Sequence, residues 1–218
     1  MVRDGWTIVI PLVLMAFACL VIDYLVPNVI WLTLTLVFIA LAMFIGFFFR
    51  DPNRRVPPGE GLVIAGGDGK VVSIENIDND PFIGGAAIQI SIFLSILNVH
   101  VNRMPITGVV RLRKEIKGQF RLAFKDEASA SNAQMVLGIE GEQGRVLIKQ
   151  IVGFVARRIV CDVHEGDEVC IGERFGLIRF GSRIDVIVPN STEIRVQNGD
   201  RVRGGETILG VLKLSLIH

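Results

Sequence analysis

The chain has 218 residues and a formal net charge of +1, which gives no basic footprint of the kind nucleic-acid binding demands. Half of its residues are hydrophobic and 21% are charged, and a mean hydropathy of +0.51 is too high for an ordinary soluble domain, so the apolar residues must be concentrated in one region. Cys19, Cys161 and Cys170 make neither a C-x-x-C pair nor a dense framework, so nothing calls for disulfides or a zinc site, and no metal is expected.

The concentration is at the start. Residues 6–49 contain one charged side chain, Asp23. Residues 6–22 and 29–49 are each long enough, at about 1.5 Å per residue, to cross or nearly cross a hydrocarbon core of about 30 Å. Asp23, Pro27 and Asn28 form the turn between them, so residues 1–50 read as a transmembrane helical hairpin. A secretory leader has one shorter apolar run, and the second run argues against that reading. Arg3 precedes the first span and Arg50, Arg54 and Arg55 follow the second, while the turn has no Lys or Arg. This places both ends in the cytoplasm and predicts a cell-membrane protein whose remainder, residues 51–218, lies on the cytoplasmic face.

That remainder reads as one antiparallel β-rich domain. Residues 61–65, 70–74, 87–93, 145–149 and 184–188 are short runs rich in Val and Ile, bounded by Gly, Pro, Asn or Asp. A short helix is expected over residues 125–135, where Ala, Gln and Ser replace β-branched residues. Residues 165–173 and 198–206 echo each other as Gly-Asp-x-Val units, and such units resemble the turns of lipoyl- and biotinyl-type domains. No Met-Lys or Asp-Lys pair appears that would mark a carrier lysine, so the echo implies a scaffold and not a swinging arm.

Five segments carry chemistry. They are Phe47-Phe48-Phe49-Arg50-Asp51-Pro52, Gly67-Asp68-Gly69-Lys70-Val71, residues 93–105 with Asn98-Val99-His100-Val101-Asn102-Arg103 at their centre, Lys117-Gly118-Gln119-Phe120, and Phe180-Gly181-Ser182-Arg183-Ile184-Asp185. Alone, each has an ordinary explanation: a Gly-Ser pair is a loop, an Asp between glycines is a turn former, and a histidine among β-branched residues is a core or surface residue. In this order, over nearly the whole chain, they resemble the phosphatidylserine decarboxylase family, specifically its short bacterial and archaeal type. The resemblance implies that the Gly181–Ser182 bond is cut by the protein itself, with Ser182 as nucleophile and His100 and Asp68 assisting it. It further implies a pyruvoyl cofactor made from Ser182, which forms a Schiff base with the serine amine of phosphatidylserine and accepts the electrons released with carbon dioxide.

The residue types suit these roles. A glycine on the acyl side removes the Cβ that would obstruct attack by Ser182. A neutral His100 can accept the hydroxyl proton, and a carboxylate on its other nitrogen, for which Asp68 is the candidate, would fix the tautomer. His100 is also the candidate that reprotonates the product. Long-form members carry a second histidine three residues on, and here that place is held by Arg103, a candidate ligand for the lipid phosphate or the leaving carboxylate. Phe93, Leu94 and Phe180 are candidate apolar walls.

The expected partners are phosphatidylserine or an archaeal serine phospholipid, the bilayer, and the two cleavage fragments bound to each other; a homodimer is compatible with the sequence. Two other classes stay open: a membrane-anchored lipoyl-like carrier or adaptor, and a catalytically inactive lipid-binding relative. Both would remain one chain, whereas the enzyme splits.

Overall fold

The computed structural model describes residues 2–118, 132–153, 159–178 and 182–213. It divides into two compact units, residues 1–53 and 54–218.

The first unit is a pair of helices, α1 (Arg3–Leu25) and α2 (Val29–Phe48). Both are long and apolar enough to cross a membrane. Asp23 falls within α1, so the turn itself is shorter than the sequence implied. The Asp23 carboxylate nonetheless closes that turn by accepting from the Asn28 amide at 3.1 Å, and the Asn28 side chain caps α2 by accepting from the Ile30 amide at 2.9 Å. At the other end the Val2 amide donates to the Phe49 carbonyl, so the helices run antiparallel. Along the middle of the pair the buried residues are small, Ala16, Cys19, Thr35 and Ala42, with the large Phe48 and Phe49 buried only at the end of α2, while Leu14, Phe17, Leu36 and Met43 face outward. Small residues let two backbones approach closely.

The second unit is antiparallel throughout. Its strands are β1 (Leu62–Ile64), β2 (Gly69–Asp80), β3 (Gly85–Leu94), β4 (Val101–Arg103), β5 (Gly108–Ile116), β6 (Gln134–Gly141), β7 (Gly144–Val152), β8 (Ile159–Cys161), β9 (Glu168–Val169), β10 (Arg174–Ile178), β11 (Ser182–Pro189), β12 (Glu193–Ile194), β13 (Arg201–Val202) and β14 (Ile208–Val211). An eight-stranded sheet has the order β13-β2-β3-β11-β7-β6-β5-β9, and two three-stranded sheets have the orders β4-β10-β8 and β1-β14-β12. Alternate side chains on a strand point to opposite faces. On β11, Ser182, Ile184, Val186 and Val188 therefore share the face of the main core with Ile90, Ile92 and Leu94 of β3 and with Val146, Ile148 and Val152 of β7. Ile187 turns to the other face, where it packs with Ala87, Val136 and Leu147.

The echo noted in the sequence is a structural repeat. Gly166 and Gly199 take φ of +94° and +98°, and the Asp167 and Asp200 carboxylates accept from the amides of His164 and Gln197 respectively. The units lead into β9 and β13, the two edges of the large sheet. The helix expected over 125–135 is not formed at its end: Gln134 and Met135 belong to β6 and pair with Ile151 and Gln150 of β7. The β6–β7 hairpin, closed between Gly141 and Gly144, supplies these residues with ladder hydrogen bonds that override their weak helical preference. Asn132 and Ala133 are not helical either, and residues 125–131 of that predicted helix lie outside the described residues.

Candidate active site

Ser182 opens β11, the strand at the centre of the large sheet. It is paired on one side with Leu94, the last residue of β3, and on the other with Val152, the last residue of β7. One step beyond the Lys70–Phe93 pair, the same row reaches Gly69, the residue after Asp68. At this row three strands of the large sheet adjoin in sequence the strands of the β4-β10-β8 sheet: β3 precedes β4, connected through 95–100, β7 precedes β8, and β10 precedes β11. His100 ends the 95–100 connection. Val101, the residue after His100, pairs with Leu177, and only residues 178–181 separate Leu177 from Ser182. The topology thus brings Ser182, His100 and the Asp68 turn to one sheet end.

Ser182 is fully buried, and its Oγ has no hydrogen-bond partner among the described residues. A buried structural hydroxyl is normally bonded, so an orphaned one calls for an explanation other than a structural role. His100 is 2% exposed. Its Nδ1 lies 2.9 Å from the Asn98 carbonyl. A carbonyl oxygen only accepts, so Nδ1 carries the hydrogen and the neutral ring keeps its lone pair on Nε2. The local chain, through Asn98, therefore supplies the tautomer-fixing contact that the sequence reading gave to Asp68. The backbone of His100 is held in turn by a buried polar bridge: Asn102 Nδ2 donates to the His100 carbonyl, and Gln150 Nε2 donates to Asn102 Oδ1 at 2.7 Å. Gln150 carried no signal in the sequence, because its importance comes from lying two residues from Val152 on the core face of β7.

Asp68 makes no hydrogen bond to His100. Its Oδ2 accepts from Arg54 Nη2 at 2.7 Å, and its Oδ1 accepts from the Gly204 amide at 2.8 Å. Arg54 Nη1 extends the chain to Glu206 Oε2 at 3.2 Å. Partial burial would raise the Glu206 carboxyl, but the Arg55 amide, Arg54 and Arg203 overbalance it and hold it below the usual carboxylate range. Arg54 reads from sequence as a residue flanking a membrane span, and Gly204 and Glu206 read as a turn; only the fold brings them to Asp68.

Arg103 is buried, and its Nη1 donates to the Gly172 carbonyl at 3.0 Å. Phe93 pairs with Arg183 and so lies on the face of the sheet opposite to Ser182; Leu94 is the neighbour on the Ser182 face. Phe180 and Gly181 lie outside the described residues. On the Phe93 face, Arg183 Nε meets Asp185 Oδ1 at 2.6 Å and Arg183 Nη2 donates to Ser91 Oγ, all three residues being buried. A cavity of about 390 Å³ borders Val152, the pairing partner of Ser182, with Met135 and Ile159 among its apolar walls and Arg113 and Lys117 among its cations. A larger cleft of about 880 Å³ is lined by Glu60, Glu168 and Leu212 among others, and by none of the candidate residues.

The family model described as phosphatidylserine decarboxylase matches residues 41–210. Proteins named phosphatidylserine decarboxylase proenzyme are similar over most of the chain. The one from Symbiobacterium thermophilum is 40% identical over 211 residues, covering 96% of this chain and 94% of its own. That from Geobacter metallireducens is 43% identical over 210 residues, covering 96% and 95%. That from Chlorobium phaeobacteroides is 42% identical over 187 residues, covering 86% and 87%. A match of this extent, on a fold that gathers Ser182, His100 and the Asp68 turn at one sheet end, shows that the chain belongs to the phosphatidylserine decarboxylase family.

Proposed function

We propose that this protein cuts itself between Gly181 and Ser182 and then decarboxylates phosphatidylserine, or an archaeal lipid with the same headgroup, to the corresponding ethanolamine lipid. The observation that carries the reading is Ser182, a buried hydroxyl without a hydrogen-bond partner among the described residues, at the head of the central strand and five residues after Leu177, the pairing partner of the residue next to His100.

In the first step His100 Nε2 takes the Oγ proton while Oγ adds to the Gly181 carbonyl, and the peptide bond becomes an ester. Loss of the Ser182 Cα proton then expels the residue-181 carboxylate and leaves a dehydroalanine, which takes up water and releases ammonia to give the pyruvoyl end. The Asp68 carboxylate, held at the same sheet end, favours the positive charge that develops on His100. The site fits the group: its parent hydroxyl is buried, and Leu94, Ile184 and Val152 make the surrounding face apolar. When present, the pyruvoyl carbonyl supplies the electron sink for decarboxylation. His100, once protonated, returns a proton to the product carbon. The cavity beside Val152 is the proposed headgroup site, with Arg113 and Lys117 facing the phosphate in place of Arg103, whose guanidinium is committed to the Gly172 turn.

The helical hairpin is proposed to anchor the protein in the cell membrane with the β unit on the cytoplasmic face, where the headgroups are. The two fragments stay together in this reading because β11 sits between β3 and β7 and β13 pairs with β2. Incubating purified protein with phosphatidylserine vesicles and identifying the product by mass spectrometry tests the proposal. Phosphatidylethanolamine is expected from wild type and none from Ser182→Ala; matured protein that forms no ethanolamine lipid would refute it.

A further inference from the structure

The Asp68 carboxylate is clamped from two directions. Arg54, whose side chain is 9% exposed, claims Oδ2, and the Gly204 amide claims Oδ1. Gly204 approaches so closely that a Cβ there would stand 2.8 Å from the Gly67 Cα, so its amide reaches Asp68 only because residue 204 lacks a side chain. Glu206 holds the guanidinium from behind and also accepts from the Arg55 amide. The turn carrying both is fixed to the Asp68 turn by backbone bonds, Gly205 amide to Ala65 carbonyl and Ala65 amide to Thr207 carbonyl. A carboxylate has about four lone-pair sites, so one donor on each oxygen still leaves room for a third partner.

We propose that Arg54 is a positioning residue for self-cleavage: with Gly204 and Glu206 it holds the Asp68 carboxylate in place at the sheet end where Ser182 reacts. The inference rests on the assignment of Asp68 to the maturation site. A charged partner this well enclosed is not a flanking cation of a membrane span. Its guanidinium bridges Asp68 and Glu206, offsets one of their two negative charges, and ties residues 54, 68 and 206 into one unit. Arg54 acts through Asp68, so its contribution vanishes when the Asp68 charge is gone.

The test is a time course of chain cleavage in the full-length protein, followed by gel and intact mass, for Arg54→Ala, Arg54→Lys, Asp68→Asn and the Arg54→Ala/Asp68→Asn pair. Loss of a charge-assisted hydrogen bond predicts cleavage slowed about tenfold in Arg54→Ala. Arg54→Lys, which keeps the charge and one donor, should recover part of the rate. The double variant should be no slower than Asp68→Asn alone. Gly204→Ala is a second route to the same defect, since it displaces the other donor without touching a charge. Wild-type or faster cleavage in Arg54→Ala, or defects that multiply in the double variant, would overturn the proposal while leaving Asp68 in place. Wild-type cleavage by Asp68→Asn would remove Asp68 from the site and overturn both.

Discussion

Deleting the Asp185 carboxylate tests how firmly the central strand is seated behind the proposed cleavage point. The Arg183 and Asp185 side chains are 1% and 0% exposed and meet at 2.6 Å, one residue past Ser182. Asp185→Ala leaves the guanidinium buried with its main counter-charge gone, and breaking a buried pair from one side costs about 3–5 kcal/mol. Replacing both partners by apolar residues, Arg183→Met with Asp185→Leu, removes both desolvation penalties and should recover most of that loss. Trp6, Trp31 and Tyr24, the chain's only Trp and Tyr residues, are in the helical unit, so intrinsic fluorescence would not follow the β unit. Pulse proteolysis in urea does, and a Ser182→Ala background keeps every variant uncut. With a urea dependence of about 2–3 kcal/mol per molar, Asp185→Ala should lower the midpoint by about 1–2 M. A negligible shift, or a double variant no more stable than the single one, would refute the view that an enclosed charge pair anchors β11.

Partial burial pushes the Cys161 thiol up, whereas Cys170 is exposed; iodoacetamide at neutral pH should therefore label Cys170 before Cys161, as peptide mass spectrometry will read, and equal rates would contradict the partial burial of Cys161. The Glu206 carboxyl is held below its ordinary value, so its stabilising contribution is present above the unfolded value of about 4.3 and is lost as pH falls through the lower folded one. The stability gap between wild type and Glu206→Gln should accordingly be constant near neutral pH and shrink in urea melts run below about pH 4.3. Protein beginning at Arg54 should still cleave itself, because every proposed maturation residue lies in the second unit, yet it should act poorly on vesicles while keeping activity on a short-chain soluble substrate; equal vesicle rates with and without the hairpin would show that the helices add nothing to substrate access.

The parts legible in the sequence are those written locally. Uninterrupted apolar runs announced α1 and α2, β-branched runs announced β1, β2, β3, β7 and β11, and the paired Gly-Asp units reappear as turns with matching carboxylate contacts at Asp167 and Asp200. What distance in the chain conceals was missed. Arg54 finds its acceptors 14 and 152 positions away, at Asp68 and Glu206, so no window of sequence could distinguish it from Arg55. Gln134 and Met135 look helical until β7 is placed beside them. The contact expected between Asp68 and His100 failed for the opposite reason. A nearer partner, the Asn98 carbonyl two residues back, reaches Nδ1 first. Phe93 was a wall candidate because it adjoins Leu94 in sequence, but the alternation of a strand sends the two to opposite faces.

The central claim is that Ser182 is converted into the catalytic group. Intact mass spectrometry of the freshly purified full-length protein tests it most directly. The account predicts two fragments, residues 1–181 and 182–218, the second blocked at its amino end, lacking the amine of serine and captured by a hydrazide reagent, while Ser182→Ala gives one uncut chain of about 24.0 kDa. An uncut wild-type chain that nevertheless turns phosphatidylserine into phosphatidylethanolamine would contradict it.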